Sequence, residues 1–391
     1  MYETIASNAG LTPHLAASLA GEDMRQRADQ ALRRLEDADA DAGHWRDAAF
    51  ALACIGQAEM AMRLLQEALR QARCYALPCA QTPRLRLLML LAVGDLAANA
   101  PLECLLAGSA VAITQVYVDL SPLHAAEMPE HDLLFIAVAH APAHRELLQH
   151  LQQQLVAWPR PVLDQAEALL ALDRVEVAQR LQGIAGLWVP VTRLLTRQQV
   201  IEEALALPAI IRPEGSQAGL GLDCLSEAAQ LPAYLEQHVA PNYTLAPFVD
   251  YRRPDGLYAK MRLALIDGRA WPCHYALSAH WMVHYVNAGM YEDADKRAAE
   301  EAFMADFEAW SRPHAATFAM ISERLQLAYV LIDAAELTDG RILLFEADHA
   351  MVVHALDDAQ RFPYKQVQMG RVREAMLACL LRHAGGGHGL S

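Results

Sequence analysis

Short apolar runs recur along the first half of the chain. Leu85 to Val93, Ile113 to Val118 and Leu133 to Val138 are strand-length and alternate with helical stretches, of which His144 to Ala157 is the clearest. Alternation of this kind predicts a parallel α/β sheet with helical crossovers. Upstream, residues 23–76 are helical in pattern. Trp45, Ala48, Ala49, Leu52, Gly56, Met60, Ala61, Leu64 and Ala68 fit one helix-turn-helix pair, and Thr82-Pro83 marks a break after it. Further on the period changes to two. From Leu257 to Gly268, Lys260 and Arg262 share one face and Met261, Leu263 and Leu265 share the other. Tyr329 to Ile332 and Arg341 to Phe345 read as antiparallel strands joined at Asp339-Gly340, a favoured two-residue turn.

That last hairpin carries the sharpest chemistry. It brings Asp333 near Glu346 and Asp348, two acids on one face that directly follow the apolar run Ile342 to Phe345. Buried like charges repel unless a cation joins them, and magnesium takes hard oxygen ligands. The expected metal ligands are therefore Asp333, Glu346 and Asp348. A second candidate is Pro208 to Gly221, where Arg212 ends an apolar strand and Gly215, Ser216, Gly219 and Gly221 follow. Glycines let backbone amides approach phosphate oxygens beside a fixed cation, although the loop alone also reads as an ordinary hairpin. No Gly-Lys-Ser/Thr follows, so it is not a Walker loop. His274, His280 and His284 lie six and four residues apart with no Cys or Glu to complete a zinc set.

In order, Asp173-Arg174, Gly186 to Thr192, Pro208 to Gly221, Ala246 to Asp250, then Asp333 and Glu346-Ala347-Asp348 resemble the motifs of the ATP-grasp superfamily, especially D-alanine:D-alanine ligases and peptide-glutamate ligases. The match spans roughly residues 160–360. The resemblance implies an α/β (α+β grasp) architecture: a helical tetratricopeptide-like region over 1–82, a small α/β pre-grasp domain over 83–165, and a two-lobed ATP-grasp domain over 166–391 with its hinge near 246–252. It implies ATP and Mg2+ as cofactors, with Arg174 and Arg212 standing where the family has phosphate-contacting lysines. Arginine keeps that charge and changes its geometry to a planar fork. Asp348 stands where the family has asparagine. The resemblance further places Gly215, Ser216, Gly219 and Gly221 at the phosphates, Phe248 and Val249 at adenine through their backbones, and Asp250 at the ribose. Arg262, with Lys260 beside it, would face the transferring phosphoryl group, and His284 and Asn287 would lie in the loop over the phosphates.

The activity implied is ATP-dependent joining of a carboxylate to an amine through an acyl phosphate, on an amino acid or peptide. The alternatives are a non-catalytic, nucleotide-responsive peptide-binding module and a phosphotransferase without ligation. Asp333→Asn or Glu346→Gln is expected to stop turnover and leave the fold intact. Asp95, Asn99 and Glu103 follow the first strand of the pre-grasp sheet, where open sheets bind ligands and where such residues also cap helices.

Composition narrows the partners. With 391 residues, 54% hydrophobic and 20% charged, the chain can bury cores for two or three domains. A formal net charge of −15 without a basic tract argues against nucleic acid. No apolar run approaches a membrane span. Seven cysteines without a Cys-x-x-Cys pair suit a reducing compartment, and Met1 to Gly21 lacks the charged start and apolar core of a secretory signal, so a cytoplasmic protein is expected. The helical pair carries one convincing repeat. It needs a surface to cover it, which leaves three expected roles: a cap, a homodimer contact, or a groove for a peptide or protein partner.

Overall fold

The computed structural model describes residue 2 and residues 5–216, 219–285 and 287–385; Gln217 and Ala218 of the glycine loop and Val286 lie outside the described residues. The chain is a mixed α/β protein built on three sheets. The first contains β1 (Ile5–Ser7), β2 (Cys74–Ala76), β3 (Leu85–Leu91), β4 (Val111–Tyr117), β5 (Leu133–Ile136) and β6 (Val162–Leu163), in the order β1-β2-β4-β3-β5-β6. β4, β3, β5 and β6 are mutually parallel, as the alternation predicts, whereas β2 runs antiparallel to β4 and carries β1 beside it.

The helices Thr12–Leu19, Met24–Arg34, Ala42–Cys54 and Ala58–Gln71 therefore lie between two strands of one sheet. Two short strands within the helical region expected over residues 1–82, β1 and β2, thus join the sheet of the region that follows. The reason is burial: Ala42, Ala49 and Leu65 from the helices pack with Leu85, Leu87 and Met89 in a single core, and a helix pair without such a partner leaves its apolar face wet.

A second sheet forms a small lobe, and β7 (Leu187–Trp188) precedes it in the chain. Its strands β8 (Arg193–Thr196), β9 (Ala209–Pro213), β10 (Asp223–Leu225) and β11 (Asn242–Pro247) are antiparallel in the order β10-β9-β11-β8. Leu195, Val200, Ile211, Leu225, Tyr234, Leu235, Tyr243 and Leu245 give this lobe a core of its own.

The third sheet contains β12 (Tyr258–Ile266), β13 (Arg269–Ser278), β14 (Tyr329–Glu336) and β15 (Ile342–Asp348), ordered β13-β12-β14-β15-β7. Period two divides its apolar residues between two cores. Met261, Leu263, Leu265 and Ile332 share one core with Leu88 and Leu90 of β3, while Ala264, Ile266 and Leu331 share another with Leu87 and Met89. The first and third sheets thus contribute to both cores, whereas the small lobe is built around a separate one.

The β14–β15 turn differs from the two-residue form expected. Leu337 N donates to Arg341 O at 2.8 Å, and Gly340 N donates to Leu337 O at 2.9 Å. Three residues therefore close the loop, with Gly340 at φ 82°, a left-handed third position that glycine adopts without Cβ strain. A one-residue bulge at Phe345 then sets the register that places Asp333 opposite Glu346.

Candidate functional site

A cavity of about 720 Å³ opens between the small lobe and the third sheet. The lobe contributes Ile210, Arg212, Ala246, Pro247, Phe248 and Val249; the third sheet contributes Lys260, Arg262, Asp333, Glu346 and Asp348. Leu15, Leu19, Leu96 and Ala97 of the N-terminal part complete the wall.

Its centre is a closed set of charges. β12 and β14 are paired so that Arg262 lies opposite Asp333. Arg262 Nε donates to Asp333 Oδ1 at 2.8 Å, its Nη2 donates to Oδ2 at 3.0 Å, and Lys260 Nζ lies 2.7 Å from Oδ2. Arg262 Nη1 also donates to Val352 O at 3.0 Å. Asp333 is only 3% exposed. Burial opposes its ionisation, but the two cations more than offset that and hold the carboxyl well below the usual range.

Glu346 forms an ion pair with Arg174. That arginine opens the helix Arg174–Leu181, whose N-cap is Asp173, accepting from Val175 N at 2.9 Å. Asp348 Oδ1 accepts from Ala350 N at 2.9 Å and lies 3.5 Å from His349 Nδ1. Burial opposes ionisation there too, and these partners still draw Asp348 below its ordinary value. Asp333, Glu346 and Asp348 do not gather their oxygens within 4.8 Å of one another as a trio. Among the described residues the trio that does is Asp267, Cys379 and His383, at the β12–β13 turn, where Arg382 already pairs with Asp267. Glu346 and Asp348 present hard oxygen donors at the cavity wall. Both oxygens of Asp333 are taken by Arg262 and Lys260, as Glu346 is by Arg174.

The phosphate candidates divide. Arg212 and Arg174 both line the cavity, and burial together with the charge of Arg174 pushes the Arg212 guanidinium down to about 10. Two guanidiniums facing one space are relieved by an anion between them, so this donor set fits nucleotide phosphates. Gly219 lines the cavity at φ 76°, and a Cβ there would fall 2.5 Å from His284 Nε2. That Nε2 atom is buried without a hydrogen-bond partner, and burial, aided by Lys260, keeps the ring below its ordinary pKa. Gly215, Ser216 and Gly221 do not reach the cavity wall. Ser216 instead braces its own strand, accepting from Arg212 Nε at 2.9 Å and donating to Pro213 O at 2.8 Å.

The remaining candidates make local contacts. Asp250 turns outward to Arg252, its Oδ1 accepting at 3.0 Å, and leaves the cavity. Phe248 and Val249 do line it, but the Phe248 amide is committed to Pro208 O at 3.0 Å. Asn287 Oδ1 accepts from His284 N at 3.0 Å and so serves its own loop. Asn99 is also structural, pairing its amide with Ala92 N at 2.7 Å and Ala92 O at 2.9 Å.

The sequence reading missed the opposite end of the cavity. His274, Tyr285, Tyr291, His354 and Asp357 line it, backed by Lys365 and Glu300. Lys365 and Glu300 are 1% and 0% exposed at the side chain. The available signal was His354 three residues before Asp357, but nothing in a sequence says that a charge in the long C-terminal helix turns inward.

No protein-family model matches the chain, and a search of curated proteins finds no match. Among solved structures it is similar to the RimK domain ATP-grasp protein of Sphaerobacter thermophilus, at 15% identity over 75% of this chain and 99% of that one, TM-score 0.44. It is similar to the VanG D-Ala:D-Ser ligase of Enterococcus faecalis, at 15% identity over 78% of this chain and 100% of that one, TM-score 0.47. It is also similar to the ADP complex of purK, an N5-carboxyaminoimidazole ribonucleotide synthetase, at 14% identity over 70% and 72% of the two chains, TM-score 0.44. What the cavity does must be argued from its own side chains.

Proposed function

We propose that the protein is an ATP-dependent carboxylate–amine ligase. The observation that carries this reading is one cavity lined by four cations, Arg174, Arg212, Lys260 and Arg262, together with the carboxylates Glu346 and Asp348. Cations in that number fit a polyphosphate. Glu346 and Asp348 would hold magnesium, which when bound neutralises phosphate charge. The apolar strip Ile210, Val249 and Leu343 suits a nucleobase.

In the reaction a substrate carboxylate oxygen attacks the γ-phosphorus of ATP and ADP leaves. An amine then attacks the acyl carbon, phosphate leaves with the electron pair of the broken C–O bond, and the amine gives up a proton. The protein's own part is positioning and charge. Asp333 holds Lys260 and Arg262 at the cavity wall, while Arg212 and Arg174 keep positive charge opposite them. No side-chain nucleophile is required.

The test is formation of ADP and phosphate from ATP and Mg2+ in the presence of amino acids and short peptides, with the product mass measured. A product heavier than its acceptor by the acyl group supports ligation. A phosphorylated product supports the phosphotransferase, and nucleotide binding without turnover supports the non-catalytic module.

A further inference from the structure

We propose that the Asp357 end of the cavity seats a primary ammonium group of an amine or amino-acid acceptor. Calling the ligand an acceptor rests on the ligase reading above; the ammonium site itself does not.

Asp357 lines the cavity with a side chain only 2% exposed. Neither of its carboxylate oxygens has a hydrogen-bond partner. Lys365 Nζ and His354 Nδ1 stand 3.6 and 3.7 Å from Oδ2, beyond good hydrogen-bond reach. Lys365 is committed elsewhere: Nζ donates to Tyr285 OH at 2.6 Å, sits 3.3 Å from His274 Nδ1 and lies 4.0 Å above the Tyr285 ring. Nζ lies equally 3.6 Å from Glu300, whose oxygens accept from Tyr275 N at 2.9 Å, Tyr285 OH at 2.8 Å and Tyr364 OH at 2.7 Å. Burial draws the pKa of His274 and His354 below the ordinary imidazole value. Arg262 is already taken by Asp333, and Arg361 packs over the outer ring, Tyr291, at 5.7 Å.

One cation, Lys365, thus stands between two buried acids, and the carboxylate of Asp357 has no donor of its own. A buried carboxylate without donors is costly, and an apolar occupant leaves it so. An ammonium group supplies both positive charge and three N–H donors to the unsatisfied oxygens. A carboxylate or phosphate in this position would meet like charge, so the anionic parts of the ligand belong at the arginines.

The experiment uses the full chain with Mg2+ and a non-hydrolysable ATP analogue, and compares isosteres by calorimetry: putrescine against 1,4-butanediol, and n-pentylamine against 1-pentanol. The expected result is binding of the cationic member of each pair, weakened by about tenfold or more in Asp357→Asn, the scale of one charge-assisted hydrogen bond. The nucleotide-dependent rise in thermal midpoint should persist in that variant, which shows that it is folded. Should the variant fail to fold, the isostere contrast in the unmodified protein still decides. Equal binding of charged and neutral members, no binding of either cation, or unchanged affinity in Asp357→Asn overturns the proposal. A cation response without a nucleotide response overturns the ligase reading and leaves the ammonium site standing.

Discussion

The two ends of the cavity treat buried carboxylates in opposite ways. At one end Asp333 has a cation on each oxygen, and Arg262 grips it through two parallel bonds. At the other Asp357 is as deeply buried, and its carboxylate has no hydrogen bond, with Lys365 Nζ standing off at 3.6 Å. A carboxylate saturated by the protein's own groups orients those groups, whereas one left unsaturated has capacity for a ligand. The difference separates the structural acid from the recognition acid without reference to any relative.

The comparison breaks most visibly if the two are exchanged for neutral residues. Asp333→Asn or Asp333→Ala should cost about 3–5 kcal/mol in denaturant unfolding, because Lys260 and Arg262 are left uncompensated. This revises the expectation that Asp333→Asn leaves the fold intact. Since Asp333 is held below the ordinary carboxylate range, its contribution is complete above about pH 4 and fades as pH falls further, so the mutant penalty should shrink in acid. Asp357→Asn should cost no more than about 1 kcal/mol in the same assay, since the carboxylate makes no hydrogen bond and Lys365 keeps Glu300 within 3.6 Å. Equal penalties would erase the distinction.

Lys365→Met should cost about 3 kcal/mol by leaving Glu300 and Asp357 as buried like charges, and adding Asp357→Asn should recover part of that loss. Arg212→Gln should leave unliganded stability unchanged or slightly raised while weakening nucleotide binding by about 1.5–3 kcal/mol, measured by titration. Asp250→Ala and Asn287→Ala should each change stability by less than about 0.5 kcal/mol and leave the nucleotide response as it was.

What could be read from the sequence follows the same divide. Strand alternation located Lys260 and Arg262 on one face, and the β14–β15 hairpin brought Asp333 opposite Glu346, because period two and a glycine turn are local properties. The partners of those groups were not legible. Arg174 reaches Glu346 across 172 positions, and Lys365 meets His274 across 91. Such pairings depend on which helix packs over which sheet. Ser216, Asp250 and Asn287 are ambiguous for another reason: short polar side chains near turns satisfy their own loops, and their chemistry resembles that of a binding group. The helical segment was recognised, but the return of the chain to the first sheet at β2 rests on a three-residue strand too short to signal itself.

The most direct measurement is the thermal midpoint of the purified protein with ATP alone, with Mg2+ alone and with both, repeated for Glu346→Gln. The account predicts a rise that requires ATP and Mg2+ together and is lost in Glu346→Gln. An unchanged midpoint under all three conditions, or an equal rise in the variant, would contradict it.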